Sequence, residues 1–135
     1  MPRRRAMATH AHSPGFLALV EQALRQVREI DIPAWDAQRA RRDRPALLDV
    51  REDHEWHAGR LPGAIHLGRG VIERDIEKLY PDPAAPIVCY CGGGYRSVLV
   101  CESLQRMGYT NVRSLRGGYR GWVEAGLAVE TDAVE

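Results

Sequence analysis

The sequence predicts an α/β domain organised on a mostly parallel central sheet, and three observations predict it. Near-continuous apolar runs of strand length occur at Ala46–Val50 and Ile87–Tyr90, the pattern of strands buried on both faces, and Val112–Leu115 reads as a last short strand. Segments of helical spacing stand between them. Glycine and proline punctuate the joins, at Gly59, Pro81, Gly108 and Gly126. Strands alternating with helices imply parallel neighbours connected by crossover helices. At 135 residues the chain has the length of one domain, able to bury a core without disulfide or metal.

Taken in order, residues 1–13 read as a disordered tail that includes His10 and His12. Phe16, Leu17, Val20, Leu24 and Val27 then fall near i, i+3, i+4 spacing, which predicts an amphipathic helix from Phe16 to Arg28, introduced by Ser13-Pro14-Gly15. Residues 14–29 are therefore expected to form an N-terminal helical extension. Ile30-Asp31-Ile32 reads as a short extended piece, and Pro33 suits the first turn of a helix through Trp35, Ala37 and Ala40. In the strand Ala46–Val50, Asp49 is a polar exception that must be satisfied by hydrogen bonds or a cation, and Arg51 is the plausible partner.

Glu52 to Ala58 predicts a short polar helix ended by Gly59. Leu61-Pro62-Gly63 is a turn into a short strand reaching Leu67. Val71, Ile72, Ile76 and Leu79 mark a helix that stops before Pro81. After the strand Ile87–Tyr90 comes a glycine-rich loop, then a helix carrying Val98, Leu99, Cys101, Leu104 and Met107, with Gly108 as its stop. Val112–Leu115 is the last strand, and Gly117-Gly118 turns it into a short helix holding Trp122. Residues 30–130 form the domain and 131–135 a second tail.

A net charge of +1 gives no reason to expect nucleic acid as a partner, and no run approaches twenty apolar residues, so no membrane span is expected. Three cysteines make an odd count without disulfide-framework spacing, and Cys89 and Cys91 lie too close along an extended chain to bridge without strain. Reduced thiols in a cytoplasmic enzyme is the simplest reading. Cys89 and Cys101 sit at apolar-pattern positions and read as core. His54 and His57 are spaced i, i+3, but no third ligand stands at clear spacing, so a solvated face is favoured and neither metal nor other cofactor is expected. Trp35, Trp56 and Trp122 read as core or rim packing, with Trp56 or Trp122 as alternatives for the mouth of a site. Oligomeric state is not legible.

The chemistry concentrates in Cys91-Gly92-Gly93-Gly94-Tyr95-Arg96-Ser97. A thiol stands at the end of a strand, facing the start of a helix across glycines whose N–H groups can converge on one point. Such a setting favours an anion, and the anion supplied is a thiolate. Arg96 ends the loop as a candidate anion contact. Ser97 could donate to the sulfur or cap the helix, and Tyr95 could line the entrance. Stabilising a thiolate raises its fraction but lowers its nucleophilicity, with a Brønsted slope of about 0.4–0.5. The larger benefit therefore falls on a product: a persulfide anion on Cys91 would gain about 1.5–3 kcal/mol from each hydrogen bond it accepts. Four residues separate Cys91 from Arg96, where thiol phosphatases and arsenate reductases use five to cradle a tetrahedral oxyanion. The tighter ring suits a single bound sulfur atom.

Three motifs together resemble the rhodanese-like sulfurtransferases of single-domain type. Leu47-Leu48-Asp49-Val50-Arg51-Glu52 through Gly59-Arg60-Leu61-Pro62-Gly63-Ala64-Ile65-His66 is similar to the family's N-terminal signature. The Cys91–Ser97 stretch is similar to its active-site loop, and Leu115-Arg116-Gly117-Gly118 with Trp122, Ala125 and Gly126 to its C-terminal signature. The resemblance implies a three-layer rhodanese-like domain, here with an extra N-terminal helix. It also implies a Cys91 that takes the outer sulfur of thiosulfate or a similar small anion as a persulfide and passes it to a thiophilic acceptor: cyanide, a small thiol or a protein thiol. Gly92 to Ser97 would bind that sulfur, with Asp49 and Arg51 as support. The alternatives are a thiol-dependent phosphatase or arsenate reductase, and a sulfur-carrier or regulatory module acting with a protein partner. The chain departs from the family at Gly92 and Gly93, where a charged or hydroxyl residue is frequent, which leaves Arg96 as the loop's only cation. It departs again at Arg60, usually histidine, and at Ala128, often proline.

Overall fold

The computed structural model describes residues 12–132. The remainder of the two expected tails, residues 1–11 and 133–135, lies outside the described residues. Five strands, β1 (Arg28–Ile30), β2 (Ala46–Asp49), β3 (Ile65–His66), β4 (Ile87–Tyr90) and β5 (Val112–Leu115), form one sheet in the order β1-β5-β4-β2-β3. Every pairing within it is parallel. Six helices surround it: α1 (Pro14–Ala23), α2 (Ile32–Gln38), α3 (Asp53–Ala58), α4 (Ile72–Leu79), α5 (Arg96–Arg106) and α6 (Gly118–Glu124).

The continuous apolar strands resolve into two faces once alternation is applied. Ile87, Cys89 and Cys91 join Leu48 and Val50 in a core shared with α1, α4 and α5. Val88 and Tyr90 join Leu47, Trp35, Leu115 and Trp122 in a second core beneath α2 and α6. The architecture is thus three layers, with Cys91 committed to the α5 face and Asp49 and Tyr90 to the other. The chain order reverses between β2 and β4, and ligands of open α/β sheets sit beyond the strand ends at such a switch point.

Two boundaries differ from the sequence reading. The first helix ends at Ala23, the chain turns at Leu24–Gln26, and Arg28–Ile30 pairs with Arg113–Leu115 as an edge strand. Helical periodicity ran on through Val27 because that side chain is buried at the strand's entry rather than on a helix. Residues 28 and 29 therefore belong to the sheet, not to a helical extension. At the C-terminal end, Arg60 and Glu130 exchange backbone hydrogen bonds of 2.8 Å, and Asp132 binds Arg60 and His57 at 2.7 and 2.8 Å.

Helix α1 packs on α5, with Val20 and Ala23 fully buried. Burying a valine contributes about 1.5–3 kcal/mol, so α1 is fixed to the domain rather than trailing from it. His12, just before it, also stands outside the expected tail: its ring lies 4.8 Å from that of Tyr95 and 5.3 Å from that of Phe16. Cys89 and Cys101 are buried in the α5-side core, and no described cysteine is bridged. Among the described residues no helix is long and apolar enough to cross a membrane.

Candidate active site

Strand β4 delivers Cys91 to its carboxyl end, 1% exposed. The sulfur accepts from the Gly94 N–H at 3.1 Å and the Ser97 N–H at 3.3 Å, with the Ser97 hydroxyl at 3.4 Å. Gly94 turns the loop with φ of 92°, a conformation open to glycine. Ser97 makes no cap; its Oγ lies 2.8 Å from Ser114 Oγ on β5, linking the sulfur to the neighbouring strand. The N–H groups of Gly92, Gly93 and Arg96 donate to no protein acceptor among the described residues. Donors thus remain in the loop beyond those the sulfur already uses.

The second glycine pair explains how the site is completed. Gly118 adopts φ of 55°, and a Cβ there would overlap the Cys91 carbonyl oxygen. Its absence lets the start of α6 dock on the loop, where Tyr119 and Arg120 donate N–H bonds of 2.8 and 2.9 Å to the carbonyls of Cys91 and Gly92. Docking carries the Arg120 guanidinium over Gly93, where any Cβ would overlap it. A Cβ on Gly92 would come within 3.1 Å of the Arg96 guanidinium and 3.2 Å of that of Arg120. The two bare glycines are therefore room for arginine.

Arg96, expected as the loop's only cation, is bound by Glu55 of α3 through bonds of 2.9 and 3.1 Å. Glu55 also accepts the Glu52 N–H at 3.0 Å, completing a capping box. The Arg96 hydrogen bonds hold the Glu55 carboxyl down at about 2, and the same contact raises the Arg96 pKa. Arg96's charge is thus compensated, while Arg69 and Arg120 have no carboxylate partner among the described residues. A cavity of about 520 Å³ lies over Cys91, lined by Arg69, Arg96 and Arg120 together with Gly93, Tyr95, Phe16 and His12.

Behind the loop, Asp49 is fully buried and paired with Arg51 at 2.7 Å. Asp49 also accepts the Arg51 N–H at 2.9 Å and the Tyr90 hydroxyl at 2.6 Å. Arg51 continues to the Gly59 carbonyl at 2.6 Å and lies 4.4 Å from the Tyr119 ring. Burial disfavours the Arg51 charge, but the Asp49 hydrogen bonds and charge more than offset this and raise its pKa. Burial and the Asp49 charge push the Tyr90 phenol up, so it stays a donor. This network ties β2, β4, the end of α3 and α6 beneath the loop.

Trp56 stacks on His66 at 5.0 Å, and Trp122 is buried with its Nε1–H on the Ala128 carbonyl at 2.8 Å; neither lines the cavity. His54 and His57 belong to no metal-binding cluster among the described residues. A contact with Cys89, then burial, pushes the Cys101 thiol well up, and neither cysteine lines the cavity. Sequence reasoning missed Glu55, Arg69, Ser114, Arg120, His12 and Phe16. Gly117-Gly118 was the available signal for Arg120, since adjacent glycines flag a close backbone approach.

A model of the rhodanese-like domain matches residues 33–125. The chain belongs to this family. It is 32% identical over 103 residues to a sulfurtransferase of Allochromatium vinosum, covering 76% of this chain and 94% of that protein. It is 35% identical over 98 residues to the thiosulfate sulfurtransferase GlpE of Actinobacillus succinogenes, covering 73% and 85%. The solved structure of a Rhodopseudomonas palustris protein of unknown function, described as a possible tyrosine phosphatase, superposes with a TM-score of 0.78 at 25% identity, covering 92% of this chain and all of that one. Family and curated relatives support sulfur transfer as the general chemistry of this rhodanese-like domain. Helix α1 lies outside the matched family segment.

Proposed function

We propose that this rhodanese-like chain moves a sulfane sulfur from thiosulfate or a similar small anion to a thiophilic acceptor through a persulfide on Cys91. The observation that carries the reading is the sulfur's setting: a buried thiol with two N–H donors at 3.1 and 3.3 Å, beneath a cavity with two uncompensated arginines. In the first half-reaction the Cys91 thiolate attacks the outer sulfur of thiosulfate. A new S–S bond forms, the old one breaks, and its electron pair leaves with sulfite. In the second, cyanide or a thiol attacks that outer sulfur, and the pair of the Cys91 S–S bond returns to Cys91. Gly92, Gly93 and Arg96 supply the spare N–H donors for the persulfide, with Arg120 and Arg69 attracting the donor anion. Ser97 and Gly94 hold the inner sulfur, Tyr95 borders the entrance, and Asp49 and Arg51 brace the loop from behind.

The phosphatase reading fits less well. It needs a cradle for a tetrahedral oxyanion, and here the loop is short and its terminal Arg96 is engaged by Glu55. Three unbridged thiols suit a reducing compartment such as the cytoplasm. The test is intact mass after incubation with thiosulfate, with and without cyanide. A gain of one sulfur, reversed by cyanide and absent in Cys91→Ser, supports the reading; no gain, with turnover of an aryl phosphate instead, defeats it. Loading followed by slow release to cyanide and fast release to a protein thiol would identify a sulfur carrier working with a partner.

A further inference from the structure

The cavity over Cys91 is larger than an inorganic donor needs. Taking a water's share of liquid volume as about 30 Å³, a five-atom anion displaces on the order of 100–150 Å³. The cavity holds about 520 Å³, within the range of roughly 300–1,000 Å³ that takes small organic ligands. Its lining is also divided in chemistry. The Arg96 and Arg120 guanidiniums meet at Gly92. Three rings, His12, Phe16 and Tyr95, gather with centroids 4.8, 5.3 and 6.2 Å apart. Two of those rings precede residue 33, outside the segment the family model matches.

We infer that His12 and Phe16, outside the matched family segment, are specificity-determining residues of this chain: their ring wall favours a sulfane-sulfur donor whose anionic head, beside the transferable sulfur, is carried on a planar or apolar body over a bare inorganic one. The head meets the arginines and the body lies on the rings, offset-stacked or edge-on as aromatic pairs prefer. With an arenethiosulfonate the step balances as with thiosulfate. The Cys91 thiolate bonds the outer sulfur, the sulfur–sulfur bond of the donor breaks, and its electron pair leaves with the arenesulfinate. Helix α1, anchored by Val20 and Ala23, is then the element that holds this wall in place.

This inference rests on the persulfide reading, and the test separates the two. Persulfide loading rates are measured for benzenethiosulfonate and for thiosulfate on the full chain, with Phe16→Ala and His12→Ala beside the wild type. One aromatic contact is worth about three- to tenfold in binding. The expected result is a wild-type preference for the aryl donor, with the aryl-to-thiosulfate ratio of kcat/KM falling three- to tenfold in each variant. Benzenesulfinate binding gives a readout without turnover, and its Kd should rise by the same factor in Phe16→Ala while that of sulfite rises less. His12 is a partly exposed residue ahead of α1, so its variant tests the wall even where Phe16→Ala unfolds. A ratio unchanged in both variants, or a wild type without aryl preference, overturns the inference and leaves the persulfide reading standing. Absence of loading by either donor overturns the persulfide reading itself.

Discussion

Two glycines of the site would each collide with something if they gained a methyl group, and the consequences should differ in kind. A Cβ on Gly93 would overlap the end of the Arg120 side chain, which can swing away; a Cβ on Gly118 would overlap the backbone carbonyl of Cys91, which cannot. Gly93 is not among the positive-φ glycines, whereas Gly118 is. Gly93→Ala should therefore change stability by less than about 1 kcal/mol, as for an alanine replacing glycine at a compatible position. Its cost falls on the donor: losing one charge-assisted contact of about 1.5–3 kcal/mol lowers kcat/KM for thiosulfate about 10- to 150-fold. Gly118→Ala should cost about 2–4 kcal/mol, from the left-handed backbone plus the weakened Tyr119 and Arg120 N–H bonds. Urea melts and sulfur-loading rates on the two variants check both halves. A double-mutant cycle sharpens the first, because Gly93→Ala should add almost nothing to Arg120→Ala if it acts by displacing that guanidinium. Full additivity, or a Gly93→Ala with wild-type loading, would refute the role given to Arg120.

Asp49→Asn leaves Arg51 charged and buried without its carboxylate, which should cost about 3–5 kcal/mol and lower Tm by about 10–20 °C; a calorimetric shift of only one or two degrees would mean that Arg51 finds another partner. Glu55 has its folded pKa depressed to about 2 from 4.5, so its contribution to stability is complete above about pH 4.5 and is lost as pH falls toward 2. The stability gap between wild type and Glu55→Gln should accordingly be constant from pH 5 to 7 and close on acidification, and a gap that widened in acid urea titrations would contradict the Arg96 pairing. Cys101→Ala removes a buried thiol that does not reach the cavity. It should lower stability by about 1–2 kcal/mol while one sulfur still loads from thiosulfate by mass, whereas loss of loading in a folded variant would give Cys101 a part in the chemistry.

What was legible in the sequence followed from periodicity and from motifs that are contiguous in the chain. The strands Ala46–Asp49 and Ile87–Tyr90 were readable because burial on both faces favours near-continuous apolar runs, and Val112–Leu115, with Arg113 and Ser114 inside it, was readable from its place between the Gly108 stop and the Gly117-Gly118 turn. Asp49 stood out against such a run, and Arg51 lies two residues on, so their pairing needed only local geometry. The edge strand Arg28–Ile30 was harder. Three residues of mixed polarity with one buried side chain carry no period, and the helix before them supplied a misleading one. Glu55, Arg69 and His12 were out of reach for a different reason: each is a polar residue with no periodicity to flag it, and only the fold brings α3, the loop after β3 and the residue ahead of α1 to the Cys91 loop, while Arg120 was signalled only through Gly117-Gly118.

The charge of the site is therefore a sum over the fold and not a property of the loop. Counted along the chain, Cys91–Ser97 holds one cation, Arg96. Counted in space, that cation is bound by a carboxylate 41 residues away in sequence, and the uncompensated charge comes from Arg69 and Arg120. Gly92 and Gly93 read in the sequence as the loss of side chains that could bind a donor. In the structure their bareness admits Arg120 from α6. On the proposed persulfide chemistry, donor preference and sulfur transfer would be separately adjustable. The N–H groups around Cys91 would hold the sulfur whatever the donor, because backbone amides do not depend on side-chain identity. The arginines and the ring wall of His12, Phe16 and Tyr95 can change without disturbing them. On this logic the short loop would be retained when the donor changes, and the substitutions would gather at positions 12, 16, 69 and 120.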